Sequence, residues 1–252
     1  MTEMSELNNG VVQVSGAGST PVPCSSFDKK ASQALKGIAI LMMMLHHNFR
    51  TNAEFRNYAV SFFPFQEHQI VNLALSFKIC VSIFAFISGY GLFLSYRDSK
   101  MNASPWVAKR YIRTFSGYWF VWFLSSIICQ GINGRSAEIL WKDNIFKALI
   151  YSLVDFLGLA NLFNTPTLNR HWWYMSAAAV FILFTPLLFK HRDNLWLLLI
   201  ISGVFIRIIH KSGESAYISG ESAYSFLTPF ILGTIFAELC NICSSSHGAS
   251  FL

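Results

Sequence analysis

"LKGIAILMMMLHHNFR", residues 35–50, decides how this chain folds: a lysine opens and two histidines close an apolar run that is otherwise unbroken. What surrounds that run is settled by composition. Of 252 residues, 53% are hydrophobic, 16% aromatic and only 13% charged, whereas soluble domains carry about 25% charged residues. Several windows approach the roughly 20 apolar residues that cross a bilayer about 30 Å thick, and they are spread along the chain rather than gathered into one core. The expected class is therefore all-α, a polytopic transmembrane helix bundle in a lipid bilayer. The net charge of +6 would suggest nucleic acid in a soluble protein; here the positive-inside rule accounts for it, and no nucleic acid is expected.

Outward from that run, spans are read at 33–49, 73–96, 115–132, 145–163, 172–189, 195–210 and 225–240, from length and apolarity. Residues 1–28 read as a disordered cytoplasmic lead-in, 29–243 as the transmembrane domain and 244–252 as a short polar tail. No cleavable signal peptide is expected, because no basic start followed by a short apolar stretch precedes residue 30. The loop 97–114 carries Arg97, Lys100, Lys109, Arg110 and Arg113, which places it and the N-terminus in the cytoplasm. The loop "KHRD", residues 190–193, is also basic, yet three candidate spans separate it from the first basic loop and would put it outside. Six to seven spans are therefore expected, with 145–163 the candidate re-entrant segment. It contains Lys147, Asp155 and Asn161, groups that are costly at bilayer depth unless they line a protein-enclosed cavity.

Within the first span, residues eleven apart on an α-helix differ by about 20° in rotation and about 16 Å in height. Lys36 and His47 therefore share a face, whereas His46 points about 80° away. A cation at one end of that face can hold phosphates by charge-assisted hydrogen bonds. A histidine deeper along it can act as a general base. The plainer alternative is that Lys36 snorkels to the headgroups and the histidines sit at the opposite interface.

With these residues identified, the chain resembles acyltransferase family three, the membrane-bound acyltransferases whose first span carries a basic residue, ten intervening positions and a histidine. Here that pattern is "KGIAILMMMLHH", Lys36 to His47. The family more often has arginine first; lysine keeps the charge and loses the bidentate fork. "VSIFAFISGYGLFLSYR" at 81–97 resembles the family's second span with its Ser-Gly-aromatic motif, Ser88, Gly89 and Tyr90. "KRYIRTFSGYWFVW" at 109–122 resembles the basic entry into the third, and "HWWYMSAAAVFILFTPLL" at 171–188 a later span opening on tryptophan.

The resemblance implies an O-acyltransferase of the plasma membrane that moves an acyl group, acetyl being expected, from acyl-coenzyme A to a cell-surface or lipid-linked carbohydrate. It implies His47 and Lys36 as catalytic residues, and Lys36, Arg110 and Arg113 as contacts to the coenzyme. Ser88, Gly89, Trp172, Trp173 and Tyr174 become candidate substrate contacts, and His171 a second titrating group. No permanently bound cofactor is implied. Each has a structural alternative: Ser88 and Gly89 in helix packing, the arginines as positive-inside anchors, and the aromatic triplet as an interfacial belt. Lys78 needs the outer interface or a carboxylate such as Asp155.

Family members have about ten spans, more than this chain holds at about 20 residues each, so a truncated, inactive relative is one rival reading. A transporter lined by Lys78, Asp155 and the histidines is another, although no inverted repeat is visible. The lone Cys240/Cys243 pair falls short of the four ligands of a structural zinc, and no metal site is expected. Cys80 and Cys129 read as small core residues. The tandem "SGESAYI" and "SGESAYS" at 212–225 reads as a lengthened polar loop.

Overall fold

A computed structural model describes residues 27–53, 60–133, 144–211 and 223–248. Most of the lead-in and of the tandem heptads lies outside these residues. Secondary structure among the described residues is helical. Helix α1 spans Lys29–Phe49 and starts where it does because Asp28 accepts a hydrogen bond from the Ala31 amide at 2.6 Å. Helix α2 (Glu67–Ser76) opens on a Gln66/Gln69 capping box. It continues through a single 3₁₀ turn into α3 (Cys80–Ser99).

Lys100, in the left-handed region at φ 52°, ends α3 and turns the chain into α4 (Ala103–Asn133), a helix of 31 residues and about 46 Å. Helices α5 (Ile145–Phe156), α6 (Ala160–Phe163), α7 (Trp173–Lys190), α8 (Leu195–Lys211) and α9 (Leu227–Gly248) complete the described chain. The last runs into the segment read as a polar tail.

Among the described residues, three stretches are long and apolar enough to cross a membrane: Glu67–Ser99, Trp173–Lys190 and Tyr224–Ile242. Their length and apolarity are those of membrane-spanning helices. The outer faces agree. Trp196, Ile200, Val204 and Ile208 lie exposed along α8, and Phe120, Phe123 and Ile127 along α4. In water these stripes would be aggregation sites; against lipid tails they carry no such penalty.

The bundle is organised around the crossing of α3 and α9. A Cβ at Gly89 would lie 2.0 Å from the Phe230 carbonyl oxygen, and one at Gly233 would lie 2.1 Å from that of Phe86. The two backbones therefore touch, which only glycine allows. Beside this crossing, the stacked Phe181 and Phe230 rings, 4.2 Å apart, join α7 to α9.

Helix α5 is shorter than the roughly 20 residues that cross a bilayer. Its 12 residues extend about 18 Å, and it stops inside the protein against the middle of α4. Its end is a Schellman motif: Gly158 takes φ +70°, its amide reaches the Asp155 carbonyl at 2.8 Å, and the Leu159 amide reaches that of Val154 at 2.9 Å.

The remaining carbonyls are met by neighbouring helices. Tyr118 Oη donates to Asp155 O at 2.5 Å, Trp119 Nε1 to Phe156 O at 2.9 Å, Tyr111 Oη to Leu157 O, and Ser176 Oγ to Gly158 O at 2.7 Å. A helix can end at this depth only with such partners, since no water is there to replace them.

The basic loops share one end. Phe189, which adjoins the KHRD loop, packs against Phe93 and Tyr96 near the end of α3, and Arg192 lies over the Phe189 ring.

Candidate active site

The two histidines of the opening motif go separate ways. His46 is buried, and its Nδ1 lies 2.8 Å from the Ala74 carbonyl oxygen, so it fastens α1 to α2. His47, exposed on the neighbouring face, turns toward the start of α7, where its ring meets that of His171 edge-on at 6.1 Å between centroids.

At the other end of α1, Lys36 lines a cavity of about 170 Å³. Its wall includes Ser88 and Gly91 of α3, Arg110 and Thr114 of α4, and Phe181 and Ile182 of α7. Helices α1 and α7 thus run antiparallel, His47 level with His171 and Lys36 with Ile182. Because α1 is unbroken over Lys29–Phe49, cation and imidazole stand about 16 Å apart along one face.

The cavity is strongly cationic. Arg110 Nε is buried and has no hydrogen-bond partner, and Lys36 joins it in the lining. Arg113 is exposed on α4 and outside the lining. A buried guanidinium nitrogen without a partner leaves part of its hydrogen-bonding capacity unused, so an anionic group entering here gains a charge-assisted contact. Small-molecule pockets commonly enclose about 300–1,000 Å³; this smaller one suits a slender arm or a single anionic group.

Tyr174 occupies the space between the two ends. Its ring packs between Phe84 and Phe181, and its hydroxyl faces Ser88 without closing a hydrogen bond of normal geometry. The other substrate candidates are less available. Gly89 is buried at the α3–α9 crossing. Trp172 packs edge-on against Tyr118 at 5.3 Å, and Trp173 packs on Phe226 at 5.5 Å, so both rings belong to the wall of the bundle core.

Two features escaped the sequence reading. Thr114 joins the cavity, with no signal beyond lying one turn from Arg110. The donors around Asp155 are the other: this residue is almost fully buried at 1% exposure, and its Oδ2 accepts from Trp122 Nε1 at 2.8 Å and from the Leu168 amide at 3.2 Å. These donors, with Thr167 beside them, surround its carboxylate in place of the Lys78 ammonium. The run Tyr111, Tyr118, Trp119, Trp122 was the available clue, since aromatic donors on one face of a helix need buried acceptors.

A helical membrane protein with a cationic cavity at one end of a transverse face and an accessible imidazole at the other has the layout of an enzyme that holds an anionic donor away from its reacting end. The family model described as acyltransferase domain, that of acyltransferase family 3, matches residues 30–246. The chain belongs to that family and is an acyltransferase. No curated protein and no solved structure matches the chain.

Proposed function

We propose that this protein transfers an acyl group, acetyl in the simplest case, from acyl-coenzyme A to a hydroxyl of a cell-surface or lipid-linked carbohydrate. The coenzyme's phosphates bind at Lys36 and Arg110, with Arg113 at the entrance. The pantetheine arm runs past Ser88 and Tyr174 and brings the thioester to His47. His47 takes the proton of the acceptor hydroxyl as its oxygen attacks the carbonyl, and the C–S bond breaks to release the thiol. The positive-inside rule puts the end bearing both basic loops, and with it the N-terminus, in the cytoplasm of a plasma-membrane protein, where acyl-coenzyme A is available.

One observation carries the reading. A cavity-lining cation and an accessible imidazole share a face of α1, at a separation that an extended pantetheine arm can span. The test is transfer of labelled acetyl from acetyl-coenzyme A to envelope carbohydrate in membranes of the producing cell. His47→Ala should lower transfer by about 10²–10⁴-fold while the protein inserts and folds. Lys36→Gln should raise KM for acetyl-coenzyme A. Full transfer by His47→Ala would remove the assignment, and solute flux without thioester turnover would favour a transporter.

A further inference from the structure

His171 sits in a position that the reaction as proposed does not use. It lies on the 3₁₀ turn Arg170–Trp172, just ahead of α7, and its exposed ring stands edge-on to that of His47 at 6.1 Å, with the ring planes 88° apart. A ring nitrogen lies about 1 Å from its centroid, and hydrogen bonds to nitrogen span about 2.7–3.2 Å. An acceptor hydroxyl entering between the end of α1 and this turn therefore borders both imidazoles.

The placement is held from below. Asn169 Oδ1 accepts from the His171 amide at 2.9 Å, capping the 3₁₀ turn. The Asn169 amide in turn reaches Thr167 Oγ1 at 3.3 Å, and the adjoining Leu168 amide is bound by the buried Asp155 carboxylate at 3.2 Å. Trp172, next in the chain, is packed on Tyr118. The loop that presents His171 is thus anchored to the internal end of α5. That gives the polar insertion of Asp155 a second purpose, since it sets the height at which the imidazole on the turn before α7 meets one from α1.

We infer that His171 is a second catalytic residue, which binds the acceptor hydroxyl between itself and His47, with Asp155 and Asn169 as positioning residues. The inference rests on the acyl-transfer reading above. During transfer the hydroxyl oxygen forms the new ester bond, its proton passes to His47, the C–S bond breaks, and the thiolate leaves as thiol by taking that proton from His47, which returns to its neutral form. His171 holds the hydroxyl oxygen by one hydrogen bond and gains or loses no proton overall.

The experiment compares wild type, His47→Ala, His171→Ala and His171→Asn, all full-length, in membranes of the producing cell. It measures acetyl transfer from labelled acetyl-coenzyme A to envelope carbohydrate, thioester hydrolysis with water as acceptor after reconstitution in vesicles, KM for acetyl-coenzyme A, and thermal unfolding. His171→Ala should lower transfer to carbohydrate by about 10–100-fold, within the range of general acid–base and orienting contributions. KM for acetyl-coenzyme A and the unfolding temperature should stay at wild-type values. His171→Asn, which keeps a hydrogen-bonding group, should recover part of the loss.

Wild-type transfer by His171→Ala, with His47→Ala inactive, would overturn this inference and leave the acyl-transfer reading standing. A fall in transfer matched by a lowered unfolding temperature, with no recovery in His171→Asn, would also overturn it, because the histidine would then be structural. Full activity of His47→Ala would overturn the underlying reading itself.

Discussion

Gly89→Ala separates a packing role for the Ser88–Gly89 motif from contact with substrate. The added methyl would stand 2.0 Å from the Phe230 carbonyl oxygen and 3.0 Å from its carbonyl carbon, both backbone atoms that no rotamer can move. Since Cβ contacts shorter than 3.0 Å essentially never occur, α3 and α9 must part by roughly 1 Å. A gap of about 0.5–1 Å forfeits a quarter to a half of each van der Waals contact, and in lipid those contacts, rather than a hydrophobic force, hold helices together. Overpacking costs about 1–3 kcal/mol, and rigid backbone on both sides places Gly89 at the upper end.

The better helix propensity of alanine returns about 1 kcal/mol. A net loss of about 2 kcal/mol is expected. Gly91→Ala, on the same helix with nothing within 4 Å of its Cβ, should instead gain up to about 1 kcal/mol. Steric trapping in bicelles, with both variants measured against wild type, resolves a difference of that size. If Gly89→Ala kept wild-type stability and lost acyl transfer, the packing argument would be wrong, and the glycine would be acting at the substrate.

Three further expectations follow from the same contacts. Asp155→Leu leaves the Trp122 indole and the Leu168 amide without their acceptor; at about 1–3 kcal/mol for each buried unpaired group, unfolding should become easier by about 2–6 kcal/mol, read by the same trapping assay. His46→Ala, which frees the Ala74 carbonyl, should lower stability by about 1–3 kcal/mol; His47→Ala should leave stability unchanged, so thermal unfolding distinguishes adjacent histidines. Lys36→Arg should keep KM for acetyl-coenzyme A within a few-fold, whereas Lys36→Gln should raise it by about 10–100-fold, the loss of one charge-assisted contact of about 1.5–3 kcal/mol; initial rates at varied donor concentration read both.

Much of the architecture was written locally. Apolar length alone located helices near every window read from the chain, because a helix in lipid must satisfy its own backbone and needs only enough apolar residues in a row. The clash between two basic loops and three intervening spans also drew attention to 145–163, where the structure has a helix of only 12 residues, Ile145–Phe156, with a buried end. The arc on α1 was legible for a similar reason. Helical periodicity put Lys36 and His47 on one side and His46 on another, and it required no knowledge of neighbours.

Partnership was another matter. That Gly89 meets the backbone of Phe230 could not be told from a substrate-contacting motif, because a glycine looks the same in either role until the opposing helix is in place. Trp172 and Trp173 could equally have formed an interfacial belt; only the positions of Tyr118 and Phe226 turned them into core walls. Asp155 carried a signal of burial and none of its donors, since Trp122 and Leu168 reach it from separate segments. The same holds for the meeting of His47 and His171 across more than a hundred residues. Periodicity within one helix assigns a side chain to a face; which groups wait opposite that face is decided by how the helices pack, and that depends on contacts between residues far apart in the chain.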